Sequence, residues 1–345
     1  MELNEQQQAI VNLDEPYIAV EACAACGKTR VLTERVRKLL RDGIKPSDIA
    51  VITFTNMAAQ ELKDRIADDY KDGIYIGTIH GLANKFLVSH GINTGKLIKN
   101  EEFDGFFELL KNNPQCIQHI PHILLDECQD TSPPQFDFIF NMIEPDTFFV
   151  VGDFNQSIYS FRGADPQLFI QLLQSPKVVV CSLNINYRNG SNILKYAKDI
   201  LRRSQMNDSS MAIKNGGFVY EGLPNLENVA TWIKEDGKLN NWTMLCTTNE
   251  IIQANVEFLE KNGIDCVTFK QGDLTKAQLD SLMKKDAVKV LTRHAAKGLE
   301  FPNVIVWKPA WWGGKENYRV NYVAATRAID RLYWLEEHGK KKRKY

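Results

Sequence analysis

The chain of 345 residues lacks any apolar run near the ~20 residues that a membrane-spanning helix needs. Its opening, MELNEQQQAI, lacks the basic-then-apolar pattern of a secretory signal. No charge of one sign dominates: 42 Lys and Arg face 43 Asp and Glu, a net charge of −1. That balance excludes a uniformly basic nucleic-acid coat but not a local basic groove. Seven cysteines, an odd number, form no even disulfide framework and point to a reducing compartment. Cytoplasm is therefore expected, bacterial or that of a host if the source is viral, with no membrane partner. Cys23 and Cys26 form a lone C-x-x-C with no second pair or His-x-His near it, so no metal is assigned there. Oxidation of the pair as an off-switch for its loop stays an alternative. No repeat of fixed period and no low-complexity linker breaks the chain. Glycine is scarce in one telling place, the stretch EACAACGKTR from Glu21 to Arg30.

What is present is an alternation of strand-like and helical runs. YIAV (17–20), DIAVITF (48–54), HILLDE (122–127), TFFVVGD (147–153) and KVVVCSL (177–183) are nearly continuously apolar and rich in Val, Ile and Thr. So are WTMLCTT (242–248), DCVTF (265–269), AVKVLTRH (287–294) and NVIVWKP (303–309). Such runs suit strands buried on both faces of a parallel sheet. NMAAQELKDRIADDY (56–70) and NEIIQANVEFLEKNG (249–263) carry apolar residues at helical spacing. The fold class expected is α/β, with two domains for this length. The break is placed at QSPK, giving domains 1–176 and 177–345, and residues 205–216 read as the most loop-like interior stretch. The run Lys340 to Lys344, in the tail 339–345, is expected to be a solvated basic end, with a weak phosphate contact as the alternative.

Three stretches carry chemistry. Ala22, Cys23, Ala24, Ala25, Cys26, Gly27, Lys28 and Thr29 fit the [AG]-x4-GK[ST] phosphate loop, between the strand YIAV and the helix TRVLTERVRKLL. Backbone N–H groups at a helix start hold phosphate oxygens; Lys28 would reach the β- and γ-phosphates and Thr29 would ligate Mg²⁺. The missing glycines leave the loop strained at worst, because an Ala at positive φ costs roughly 1–2 kcal/mol. Asp126 and Glu127 close an apolar strand: the aspartate can hold Mg²⁺, and the glutamate can polarise water. In VVGDFNQSIYSFRGA, Gln156 follows a strand end, and Tyr159, Phe161 and Arg162 suit stacking on single-stranded bases. A plain strand–turn–helix, solvated carboxylates and core aromatics are the alternatives for each stretch taken alone.

Taken together, the stretches resemble a superfamily-one DNA helicase of the UvrD/Rep/PcrA type. LNEQQQAIV (3–11) is similar to its glutamine motif, and VITFTNMAAQEL (51–62) and GTIHGLANKFL (77–87) to its first DNA-contact motifs. DECQD and GDFNQSIYSFRGA match its second and third ATPase motifs. LNINYRNGSNIL (183–194), KVLTRHAAKGLEF (289–301) and ENYRVNYVAATRA (316–328) resemble its fourth, fifth and sixth. All stand in family order from residue 3 to residue 328.

The resemblance implies two RecA-like domains with ATP in the cleft between them. It implies an adenine pocket of Gln7, Arg30 and Tyr187. Lys28 and Thr29 would act on phosphate and Mg²⁺ with Asp126, and Glu127 would be the base. Gln156 would sense the γ-phosphate, Arg188 and Arg327 would reach it, and Glu300 would contact the sugar. Phe54, Thr55, Asn56, His80, Tyr159, Phe161, Arg162 and His294 would line the DNA path; a structural hydrogen bond is an equal reading for each histidine. The implied activity is an ATP-dependent helicase or translocase on single-stranded DNA or a tailed duplex, moving 3′ to 5′, with protein partners unidentified. A DNA-stimulated ATPase that remodels protein–DNA complexes is the alternative, and a non-catalytic nucleotide-gated binding module is a third reading. The sequence departs from the family at Ala25, where glycine is usual, and at Phe161, where tryptophan is frequent. It also has no large insertion: only residues 91–121 separate the helix after His80 from the HILLDE strand. Nor is there an appended nuclease pattern.

Overall fold

A computed structural model describes residues 2–66, 73–270, 274–312 and 314–337. The basic tail 339–345 lies outside the described residues, as do residues 67–70 of the helix expected over 56–70. The chain forms two compact units, Met1–Ala22 with Gly27–Leu183, and Cys23–Cys26 with Asn184–Tyr345.

In the first unit the strands are β1 (Tyr17–Ala22), β2 (Ile49–Thr53), β3 (Tyr75–Thr78), β4 (His122–Leu125), β5 (Thr147–Gly152) and β6 (Val179–Leu183). They form one sheet in the order β3-β2-β4-β5-β1-β6, every pair parallel. The helices are α1 (Glu5–Val11), α2 (Lys28–Arg41), α3 (Asn56–Ile66), α4 (Ile79–Ser89), α5 (Gly95–Lys99), α6 (Gly105–Asn112), α7 (Pro133–Asp137) and α8 (Pro166–Gln174). The central strands are mostly buried, as at Ile18, Val51, Leu124 and Val150. Complete burial of such a side chain contributes about 1.5–3 kcal/mol, which is why these runs are continuously apolar rather than alternating. Residues 95–112 fold onto the same core: Phe107 of α6 packs 5.4 Å from Phe138, and Phe86 of α4 lies 5.9 Å from Phe138.

The second unit has a matching sheet built from β9 (Phe218–Gly222), β10 (Trp242–Cys246), β11 (Cys266–Val267), β12 (Val288–Thr292), β13 (Phe301–Trp307) and β14 (Ala328–Leu335). Its order is β11-β12-β10-β13-β14-β9, again parallel throughout. A small parallel pair joins β7 (Ile185–Gly190) and β8 (Met211–Lys214). Its helices are α9 (Ser191–Arg202), α10 (Leu226–Asp236), α11 (Asn249–Lys261), α12 (Lys276–Lys284) and α13 (Lys315–Ala325). Tyr333 of β14 sits among Trp232, Trp242 and Phe218, with ring centroids 4.8–5.4 Å away.

Three features differ from the sequence reading. The first unit continues past residue 176, because Val179–Leu183 pair with Ile18–Ala22 of β1; QSPK is only the turn between α8 and this edge strand. The segment 205–216 contains β8, and β14 is a long strand that follows the sixth motif directly. Among the described residues no helix is long and apolar enough to cross a membrane.

Candidate nucleotide and DNA site

The phosphate loop leaves β1 and ends at Gly27, the N-cap of α2, with φ 86°. A Cβ at Gly27 would stand 2.7 Å from Gln7 Nε2, so glycine is needed both for the left-handed turn and for the approach of α1. Gln7 is buried and locked: Asn4 Oδ1 accepts its N–H at 2.7 Å, and its Oε1 accepts the Asn4 N–H at 3.1 Å. That reciprocal cap is dictated by the sequence N-E-Q-Q. Gln7, Gly27 and Arg30 thus converge, while Lys28 and Thr29 start α2 half-buried. Ala25 adopts φ 55°, the conformation that a glycine would take without cost.

The strand β4 delivers Asp126 to the same edge. Asp126 is 6% exposed and accepts the Glu127 N–H at 2.9 Å. Burial, with the charge of Glu127 added, raises its pKa to about 7, while the Lys28 ammonium opposes the shift. A buried carboxyl burdened in this way is relieved by a divalent cation. Its oxygens and the Thr29 hydroxyl are hard donors of the kind Mg²⁺ takes together with phosphate and water. Among the described residues no group of three or more His, Cys, Asp or Glu could cage a metal alone. Glu127 itself stands at φ 52°. Beyond β5, Asp153 Oδ2 accepts from Gln156 Nε2 at 2.6 Å, in a buried turn.

The aromatic residues form one cluster. Phe54, after β2, stacks on Tyr159 at 4.9 Å and 15°; Phe161 meets Tyr159 edge-on at 6.0 Å. The Arg162 guanidinium lies 5.2 Å from the Tyr159 ring and 5.6 Å from that of Phe161. Phe161 is 65% exposed and Tyr159 is buried, so the first offers a stacking face and the second braces it. Thr55 Oγ1 caps α3 by accepting the Ala58 N–H at 3.1 Å, and Asn56 is exposed at that helix start. His80 lies 3.1 Å from Asp104 Oδ1 and 3.4 Å from Gln135 Nε2, against Phe103 and Phe107.

In the second unit, Arg188 Nε donates to Glu300 Oε2 at 2.6 Å and its Nη1 to the Thr326 carbonyl at 3.1 Å. Arg327 is buried and donates to the carbonyls of Val323 and Leu299 at 3.0 and 3.1 Å. His294 is half-buried in the turn after β12. Cys23 and Cys26, which cluster with this unit, are both buried.

The sequence reading passed over two asparagines and a glutamine. Asn186 is fully buried; its Nδ2 donates to the Ala24 carbonyl at 3.0 Å and to Asn189 Oδ1 at 2.8 Å. Its Oδ1 accepts the N–H groups of Arg188 and Asn189 at 3.0 and 2.8 Å. Asn189 in turn donates to the Thr326 carbonyl at 3.1 Å, and the Tyr187 N–H donates to the Ala25 carbonyl at 3.1 Å. The sequence signal was a pair of asparagines flanking Tyr187 and Arg188, residues that prefer local backbone bonds. The glutamine is Gln129, inside DECQD, and fully buried.

The strain at Ala25 is testable. Ala25→Gly is expected to stabilise the chain by about 1 kcal/mol, because the relieved left-handed Cβ clash exceeds the entropy cost of glycine. Urea unfolding measures it; a loss of stability would show that the turn carries no strain.

The family model of the UvrD/REP helicase N-terminal domain matches residues 3–112 and 102–177, and that of the UvrD-like helicase C-terminal domain matches 268–336. A Mycoplasma pneumoniae protein named "Probable DNA helicase" is 26% identical over 96% of this chain and 82% of its own length. DNA helicase II of Escherichia coli is 27% identical over 59% of this chain, and ATP-dependent DNA helicase Rep of the same organism 28% over 58%. The chain spans 40% and 43% of the length of those two relatives. With the N-terminal match alone running from residue 3 to residue 177, the chain belongs to the UvrD/REP helicase family.

Proposed function

We propose that this chain hydrolyses Mg-ATP to move along single-stranded DNA, 3′ to 5′, and separates strands at a tailed duplex. The observation that carries the reading is the single sheet edge of the first unit. Lys28 and Thr29, Asp126 and Glu127, Gln156, and the Phe54–Tyr159–Phe161–Arg162 cluster all follow the carboxyl ends of its parallel strands.

Lys28 binds the β- and γ-phosphates; Thr29 and Asp126 hold Mg²⁺. When bound, that ion neutralises charge on the phosphate oxygens. Glu127 takes up a proton from the attacking water, and Gln156 contacts the γ-phosphate. Arg188 and Arg327 stabilise charge on the transferring group. Their present partners suit this: exposed Glu300 is a weak ion-pair partner for Arg188, and the neutral carbonyls around Arg327 are weaker acceptors than phosphate. Gln7, Arg30 and Tyr187 hold the base, with Glu300 at the sugar. Phe161, braced by Tyr159 and Arg162, stacks on DNA bases with Phe54; Thr55, Asn56, His80 and His294 flank the strand. Alternation of grip with the nucleotide state produces stepping.

A second reading, translocation without strand separation, is favoured by the shortness of segment 91–121, which forms only small helices on the core of its own unit. Two assays separate them: displacement of streptavidin from biotinylated single strands, and unwinding of a 3′-tailed duplex. Displacement from the 5′ end with unwinding supports the first reading. Displacement alone supports the second, and neither activity defeats both.

Two substitutions test the residue roles. Lys28→Ala is expected to lower ATP turnover at least about 100-fold, with affinity for an oligothymidine strand kept within about two-fold. Retained turnover would remove Lys28 from the chemistry. Phe161→Ala is expected to weaken oligothymidine binding by about 1–3 kcal/mol, read by fluorescence anisotropy. Unchanged affinity would take Phe161 off the DNA path.

A further inference from the structure

Gln129 occupies a place in the first unit that the roles above leave unexplained. It lies in the short turn Cys128–Asp130 directly after Glu127 and is fully buried. Its Nε2 donates to Glu127 Oε2, and its Oε1 accepts the backbone N–H of Asp153 at 2.9 Å. Its main-chain carbonyl accepts the Ser157 hydroxyl at 3.3 Å. One amide therefore touches the carboxylate expected to activate water and, at its other end, the segment that follows β5.

That segment is continuous with the DNA-contact cluster. Asp153 accepts from Gln156 Nε2 at 2.6 Å and from the Asn155 N–H at 2.9 Å. Two residues past Ser157 stands Tyr159, with Phe161 and Arg162 behind it. The path is also sterically kept. A Cβ on Gly152 would come 2.9 Å from Gln129 Oε1 and 2.8 Å from the Phe169 ring, so glycine clears the space in which the amide lies. The polarity of the link is fixed as well. The amide must present its nitrogen to a carboxylate and its oxygen to an N–H, so only one orientation satisfies both ends. Asparagine would be too short to span them, glutamate would repel Glu127, and a hydrocarbon would leave a buried N–H unpaired.

We propose that Gln129 is a positioning residue that ties the Glu127 carboxylate to the segment 152–162, so that DNA engagement by Phe161, braced by Tyr159 and Arg162, is transmitted through its amide to the hydrolytic step. This rests on the ATPase reading of the site. Strand binding shifts the segment after β5, the Asp153 N–H carries the amide with it, and the Glu127 oxygen is brought onto the attacking water. Gln129 itself neither touches the nucleotide nor loses a proton.

The test uses the full chain with Gln129→Leu, which removes both side-chain bonds, and Gln129→Glu, which keeps the size and the acceptor for Asp153. ATP turnover is measured with and without saturating oligothymidine, together with the KM for ATP and the affinity for the oligothymidine. In both variants kcat with DNA is expected to fall about 10- to 100-fold, while KM and DNA affinity stay within about two-fold. The ratio of turnover with DNA to turnover without it should collapse toward unity. A merely structural role would lower both rates together and leave that ratio intact, which overturns the proposal. If Gln129→Leu does not fold, as read by circular dichroism, Gln129→Glu decides by the same ratio. A wild-type chain with no ATP turnover would overturn the ATPase reading and this inference together, whereas wild-type turnover indifferent to DNA, or an unchanged ratio in the variants, overturns this inference alone.

Discussion

Parallel strand pairing is the constraint from which the site follows. In a sheet whose strands all run one way, the carboxyl ends emerge on one edge, and the loops that follow them become neighbours in the order of the sheet. Here β4, β5 and β1 are adjacent, registered through Leu125 with Val150 and Glu21 with Gly152. The loop after β1 is the phosphate loop, that after β4 carries Asp126 and Glu127, and that after β5 carries Gln156. The next strand outward, β2, places Phe54 where it stacks on Tyr159. Residues far apart in sequence meet because hydrogen bonding between strands leaves them no other edge.

The loop that lacks glycines shows how local cost is absorbed. At Gly27 a side chain is barred twice, by φ and by Gln7. Ala25 lacks only the conformational freedom, and a methyl group there meets a penalty of roughly 1–2 kcal/mol rather than a collision. The carbonyls of Ala24 and Ala25 accept bonds from Asn186 and Tyr187, which hold the turn in its left-handed form. Asn186 also fixes the Arg188 N–H, so a single buried amide organises both a phosphate-loop carbonyl and the backbone of a candidate phosphate-binding arginine.

Much of this was legible in the sequence, and the omissions have physical causes. The strands buried on both faces announced themselves as continuous apolar runs, and β1, β2, β4, β5, β10 and β13 lie within or beside them. β14 was missed because the exposed pair Asp330 and Arg331 interrupts its apolar run between the buried Ala328 and the buried stretch from Leu332 to Leu335. β9 was missed because none of the residues of this edge strand is buried, so it lacks the continuous apolar run of the central strands. The unit boundary was misplaced by the punctuation of QSPK, since nothing local says that β6 pairs with β1. Lys28, Asp126 and Glu127 were visible as candidates because charged residues in the GK[ST] pattern and at the end of an apolar strand stand out in the sequence. Gln129 and Asn186 were not, because a neutral amide acquires its meaning only from the groups that the fold brings to its two ends.

On this account one sheet edge joins ATP hydrolysis to the grip on a DNA strand. The most direct measurement is steady-state ATP hydrolysis by the purified chain at low salt with Mg²⁺, titrated with oligothymidine. A turnover that rises steeply and saturates with the strand is the predicted result. A turnover indifferent to DNA, in a chain that binds both ligands, would contradict it.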